Sequence, residues 1–92
     1  MGSEKEEIQE LPPVTFSMFI LSLNTSALVH LGQIPDPQTN EKKKDLALAR
    51  QTIDILDMLR EKTRGNLTKE EEKLLESILY ELRLLYLKAS GG

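Results

Sequence analysis

From Leu11 to Pro35 the chain contains no Asp, Glu, Lys or Arg, and every charged residue lies outside that run. Within it, Val14 to Leu31 (VTFSMFILSLNTSALVHL) reads as a helix. A helix with no charged side has no face suited to open contact with water, so most of its circumference should be covered. The rest of the chain can cover part of it, and something else must cover the remainder.

The chain is too short to solve this alone. Its 92 residues make one domain, and a domain of that size hides only about 60 to 65 % of the surface its unfolded form exposes. Association is one common remedy for such a marginal core. With no Cys there are no disulfides or thiolate metal sites, and the single His lacks HxxxH or HxxE spacing, so neither a metal nor a cofactor is expected. Freedom from Cys also suits an intracellular protein, and a cytoplasmic location is expected. The formal charge of -3 arises entirely before Val14, where Glu4, Glu6, Glu7 and Glu10 outweigh Lys5. A neutral body behind an acidic segment argues against nucleic-acid binding, which needs Lys and Arg gathered on one face.

Residues 1–13 form an acidic tail that cannot offset its own ordering entropy and is expected to be disordered. A single helical domain is expected over 14–90, with helices at about 15–31, 46–63 and 69–89. Pro12-Pro13 precedes the first helix, and Gly32 followed by Pro35 ends it. Its core stripe is Phe16, Ile20, Leu23, Ala27 and Leu31, with Phe19 beside it. Gly32 to Lys44 forms a stiff elbow around Pro35-Asp36-Pro37. Asp45 is placed to cap the second helix, whose apolar rows are Leu46, Ala49, Ile53, Leu56 and Leu48, Thr52, Ile55, Leu59. Gly65 stops it. Thr68 and Glu71 then form a capping box for the third helix, which carries Leu74, Leu75, Ile78, Leu79, Leu82, Leu85 and Tyr86 as its main stripe.

The fold class that follows is all-α: an uncharged first helix packed across an antiparallel helix hairpin, in a homodimer. Two surfaces are left without a partner inside one chain. The first is the back of helix one, where Ser22 and Ser26 form a small-xxx-small pair flanked by Met18 and Val29; the second is the row Tyr80, Leu84 and Leu87. Together these seven residues are the candidate self-association surface.

Other residues offer less. His30 could serve as an acid or base near neutral pH, but no carboxylate lies within a turn of it in sequence and Asp36 could reach it only through the elbow. Arg50 and Asp54 form an i,i+4 pair on a solvated side of helix two. Lys42 to Lys44 are bracketed by Glu41 and Asp45. No catalytic constellation is visible.

The blocks Thr25–Gly32 (TSALVHLG), Ile34–Pro37 (IPDP), Ala49–Asp54 (ARQTID) and Gly65–Thr68 (GNLT) resemble a family of small bacterial proteins catalogued as a domain of unknown function, family 1844. The resemblance covers nearly everything from Phe16 to Tyr86 and implies an all-helical, cytoplasmic bacterial protein. It brings no catalytic residue, cofactor or partner. The sequence therefore points to a self-associating interaction or structural module without catalytic activity. A membrane-associated helper using helix 14–31 is the alternative, although Asn24, His30, two Thr and three Ser dilute that helix below a typical span. A small enzyme using His30 is the remaining reading.

Overall fold

The computed structural model of the chain describes residues 11–91, so the disorder expected of the acidic tail lies, up to Glu10, outside the described residues. Leu11 to Val14 have no regular structure and are exposed. Three helices follow: α1 (Phe16–His30), α2 (Leu46–Lys62) and α3 (Lys69–Ala89). Among the described residues there is no strand.

Each helix starts and stops where local chemistry dictates. The Thr15 hydroxyl accepts from the Met18 N–H at 3.0 Å, satisfying one of the free donors of the first turn. At the other end Gly32 takes φ +76, its N–H donates to Val29 O, and the Gln33 N–H donates to Leu28 O, which together form a Schellman ending. Asp45 caps α2 by accepting from Leu48 N at 3.1 Å. The capping box of α3 is complete: Glu71 N–H donates to Thr68 Oγ1 at 3.1 Å, and Thr68 N–H donates to Glu71 Oε1 at 2.8 Å.

Gly32 to Lys44 is a folded elbow. Asp36 closes its inner turn three times over, since its carbonyl accepts from Asn40 N–H, its N–H donates to Glu41 O, and its Oδ1 accepts from Gln38 N–H. The Asp45 N–H donates to His30 O at 2.7 Å, which ties the start of α2 to the last residue of α1.

All three helices pack against one another around one core. Ile20, Ala27 and Leu31 meet Ala49, Ile53 and Leu56 of α2 and Leu75, Ile78, Leu79 and Leu82 of α3. The thinnest dimension of the molecule is 16 Å. Two helical layers about 8–10 Å apart, each with its Cα atoms about 2.3 Å from the axis, give roughly that thickness. The hairpin of α2 and α3 is one layer and α1 lies on it as the other. The buried Thr52 hydroxyl donates to Leu48 O at 3.0 Å, so it adds no unpaired polar group to the core.

Two sequence expectations need correcting. Phe19 was expected beside the core stripe of the first helix, but it is 46 % exposed. A helix lying on a single layer is covered from one side only, and Phe19 is about 100° around the axis from Ile20. Leu48, expected on the apolar face of α2, is also exposed, because it is about 100° around the axis from the buried Ala49.

Truncating Leu79, which is fully buried where the helices meet, is expected to cost about 2–5 kcal/mol in Leu79→Ala, measured by denaturant unfolding. A Cβ at Gly32 would lie 2.9 Å from Lys44 Cγ and force a left-handed backbone on alanine. The flexible Lys44 stem can move, so the backbone term dominates, and Gly32→Ala should destabilise by about 1–2 kcal/mol in the same assay.

Candidate functional site

The side of α1 turned away from the hairpin carries no charged residue. Ile20, Ala27 and Leu31 define the buried side. Helical geometry places Met18, Ser22, Thr25 and Val29 opposite them, with Leu21 and Ser26 on the flanks. Met18, Leu21, Ser22, Thr25 and Ser26 are exposed and Val29 is half-buried, while Leu11 and Val14 extend the same apolar character ahead of the helix. The hydroxyls on this side are partly spent on their own helix. Ser22 Oγ donates to Phe19 O at 2.7 Å, and Thr25 Oγ1 donates to Leu21 O at 3.2 Å. Such back-bonded hydroxyls can leave water without an unpaired donor, which lowers the cost of covering them.

Tyr80, Leu84 and Leu87 are exposed on α3, with Tyr80 at 67 % the most open. They lie on the side of α3 away from Leu75, Leu79 and Leu82. Because α1 and α3 pack on each other, their outer sides point in different directions. The structure thus brings Met18, Ser22, Ser26 and Val29 onto one surface and Tyr80, Leu84 and Leu87 onto another. The second is interleaved with charge, since Arg83, Glu81 and Lys88 share the exposed side of α3.

Charged side chains also join the two arms of the hairpin. Asp57 Oδ1 receives Arg60 at 2.6 Å and Arg83 at 3.1 Å, and Arg60 reaches Glu76 at 3.0 Å, forming a continuous chain between α2 and α3. Sequence reasoning missed this network. Spacing alone could not give it, because an antiparallel register centred on the Gly65–Asn66 link would set Arg60 opposite Glu71 and Asp57 opposite Leu74, not beside Glu76 and Arg83. The Arg50–Asp54 pair expected from spacing forms more loosely, at 3.8 Å. At the end of α2, Arg64 hydrogen-bonds both Glu61 carboxylate oxygens at 2.7 Å, which raises the guanidinium pKa.

His30 lines a cleft between the end of α1 and the elbow, and folding brings Asp36, Glu41 and Asp45 to that cleft with Lys43 and Lys44. Sequence spacing could not show this, because the Asp36–Asn40 turn and the Asp45–His30 tie create it. Among the described residues the His30 imidazole makes no hydrogen bond, and no group of three or more His, Cys, Asp or Glu is placed to hold a metal ion.

These features define a small, three-helix, all-α protein whose distinguishing surface is an uncharged helix side. The chain belongs to the family described as Domain of unknown function (DUF1844), whose model matches residues 13–88. Neither the search of curated proteins nor that of solved structures gives a significant match.

Asp57 holds two arginines at once with its side chain 40 % exposed. At about 0.2–1 kcal/mol for each partly screened pair, Asp57→Asn should destabilise the fold by roughly 0.5–2 kcal/mol. The loss should shrink between 0.05 and about 1 M salt, as screening shortens to about 3 Å.

Proposed function

We propose that this chain is a self-associating helical module that works through protein contacts and not as an enzyme, with a second copy covering the outer side of α1. One observation carries the reading: α1 exposes an entire side without a single charge, on which Met18, Phe19 and Leu21 are each nearly half exposed. Contiguous apolar surface of this kind on a small domain marks a contact site. The pattern of polar atoms supports burial, since Ser22 and Thr25 already satisfy their hydroxyls within the helix.

A two-fold dimer uses the same patch on both partners. The two outward surfaces point in different directions, so one such interface takes the α1 side and leaves Tyr80, Leu84 and Leu87 free for a different protein. The mixed charge around that row suits a surface that spends part of its time in water. A lipid-facing role for α1 is the less supported alternative. Helices that lie in a bilayer surface carry Lys and Arg on their polar side, and α1 has neither, while an acidic segment precedes it. Moreover, among the described residues no helix is long and apolar enough to cross a membrane. A cytoplasmic location fits the absence of Cys.

Light scattering on a sizing column, over a range of concentrations, should give a mass near twice the 10.4 kDa of one chain. Ser22→Arg, which puts a charge in the middle of the surface, should reduce that mass to one chain with helicity retained. Leu84→Glu should leave it unchanged. A wild-type mass of one chain at all concentrations, or flotation with neutral or anionic vesicles, would count against the reading.

A further inference from the structure

The outer side of α1 is graded along its length. Its two largest exposed residues there, Met18 and Phe19, are in the N-terminal half, while Thr25 and Ser26 stand in the C-terminal half ahead of Val29. Met18 and Thr25 are seven residues apart and share one edge of the outer side; Phe19 and Ser26 are also seven apart and share the other. Each edge therefore carries one bulky side chain followed, two turns later, by one small hydroxyl. Ser22 sits between the edges at mid-length, where its small side chain permits the closest approach of a second backbone.

Resting on the self-association proposed above, we infer that two copies pair their α1 helices antiparallel, crossing at Ser22. A two-fold axis at Ser22, perpendicular to both helices, sets each edge of one α1 beside the same edge of the other, run in reverse. Met18 then meets Thr25 of the partner copy, and Phe19 meets Ser26 of the partner copy, with both contacts repeated by symmetry. Bulky residues fill the space that small ones leave, as interiors packed to native density require. A parallel pair would crowd Met18 against Phe19 of the partner copy and leave the hydroxyl halves apart. The antiparallel arrangement also opposes the two helix dipoles favourably.

Area sets what the pair must also cover. The outer half of a helix about 22 Å long and about 11 Å across offers roughly 500 Å² a side, so α1 alone sits near the lower limit for a stable pair. Val14 is eight residues before Ser22 and His30 eight after it. Antiparallel pairing sets the N-terminal end of each α1, with the segment Leu11–Val14 that leads into it, beside the far end of the partner copy's helix. Leu11 and Val14 are each more than three-quarters exposed in the single chain, and this contact would cover them.

Because the chain has no Cys, single introduced cysteines report the arrangement directly under mild oxidation. Ser22→Cys should form an intermolecular disulfide in near-complete yield. Val29→Cys should form none, because the two copies of that residue would be about 21 Å apart along the axis. Mixed Met18→Cys and Thr25→Cys chains should cross-link to each other, while each alone does not. Val29→Cys disulfides would show parallel pairing and overturn the inference while leaving self-association intact. A dimeric mass with no cross-link at Ser22 would place the interface elsewhere and also overturn it. A single-chain mass for the wild type would remove the underlying reading as well.

Discussion

The burial of Ile20, Ala27 and Leu31 against the hairpin is the contact on which the rest of this structure depends. α1 has no charged or strongly polar side to orient it in water, so its position is set by which residues the hairpin can accept. Ala27 matters as much as its larger neighbours, since a small residue lets the helix approach a layer made of Leu56, Leu75, Leu79 and Leu82. Without that contact α2 and α3 would be an isolated helical hairpin with an open apolar face. Equally, α1 would be an uncharged helix with nothing to lie on.

The elbow determines how α1 reaches the hairpin. Its thirteen or so residues fold on themselves through Asp36, and its two ends are joined by the Asp45–His30 hydrogen bond. A loop closed in this way restricts the direction in which α2 leaves α1 and carries fewer free backbone groups than an open connection of that length would. The ion chain from Arg83 through Asp57 and Arg60 to Glu76 acts on the other connection, holding the hairpin arms in one register. Apolar burial is the main favourable term, and these polar links tie α1 to the start of α2 and α2 to α3 at defined points.

Among the described residues the core holds ten buried apolar side chains, a small number, and it is reached with one side of α1 exposed. That combination ties structure to the proposed role. In the dimer proposed above, a second copy would supply the cover that the outer side of α1 does not receive from α2 and α3. In the antiparallel pairing inferred above, Met18 and Phe19 of one copy would face Thr25 and Ser26 of the other, so that one surface serves as both knob and hole, as an isologous interface needs.

The sequence by itself determined the elements. The lack of charge in 11–35, the glycine at 32, the Thr68–Glu71 box and the apolar spacing of the three segments each act within a few residues, so local physics is enough to read them. The family resemblance and most core residues of α2 and α3, Leu48 excepted, were legible in the same way. Tertiary structure decided what local spacing cannot reach. It put Phe19 in solvent, because a helix on one layer is covered from one side. It separated Met18, Ser22, Ser26 and Val29 from Tyr80, Leu84 and Leu87, because two helices that pack together must turn their outer sides apart. The carboxylates beside His30 and the Asp57 network likewise come from closure of the elbow and the register of the hairpin. Both are contacts between segments that the one-dimensional pattern leaves independent and only packing in three dimensions brings together.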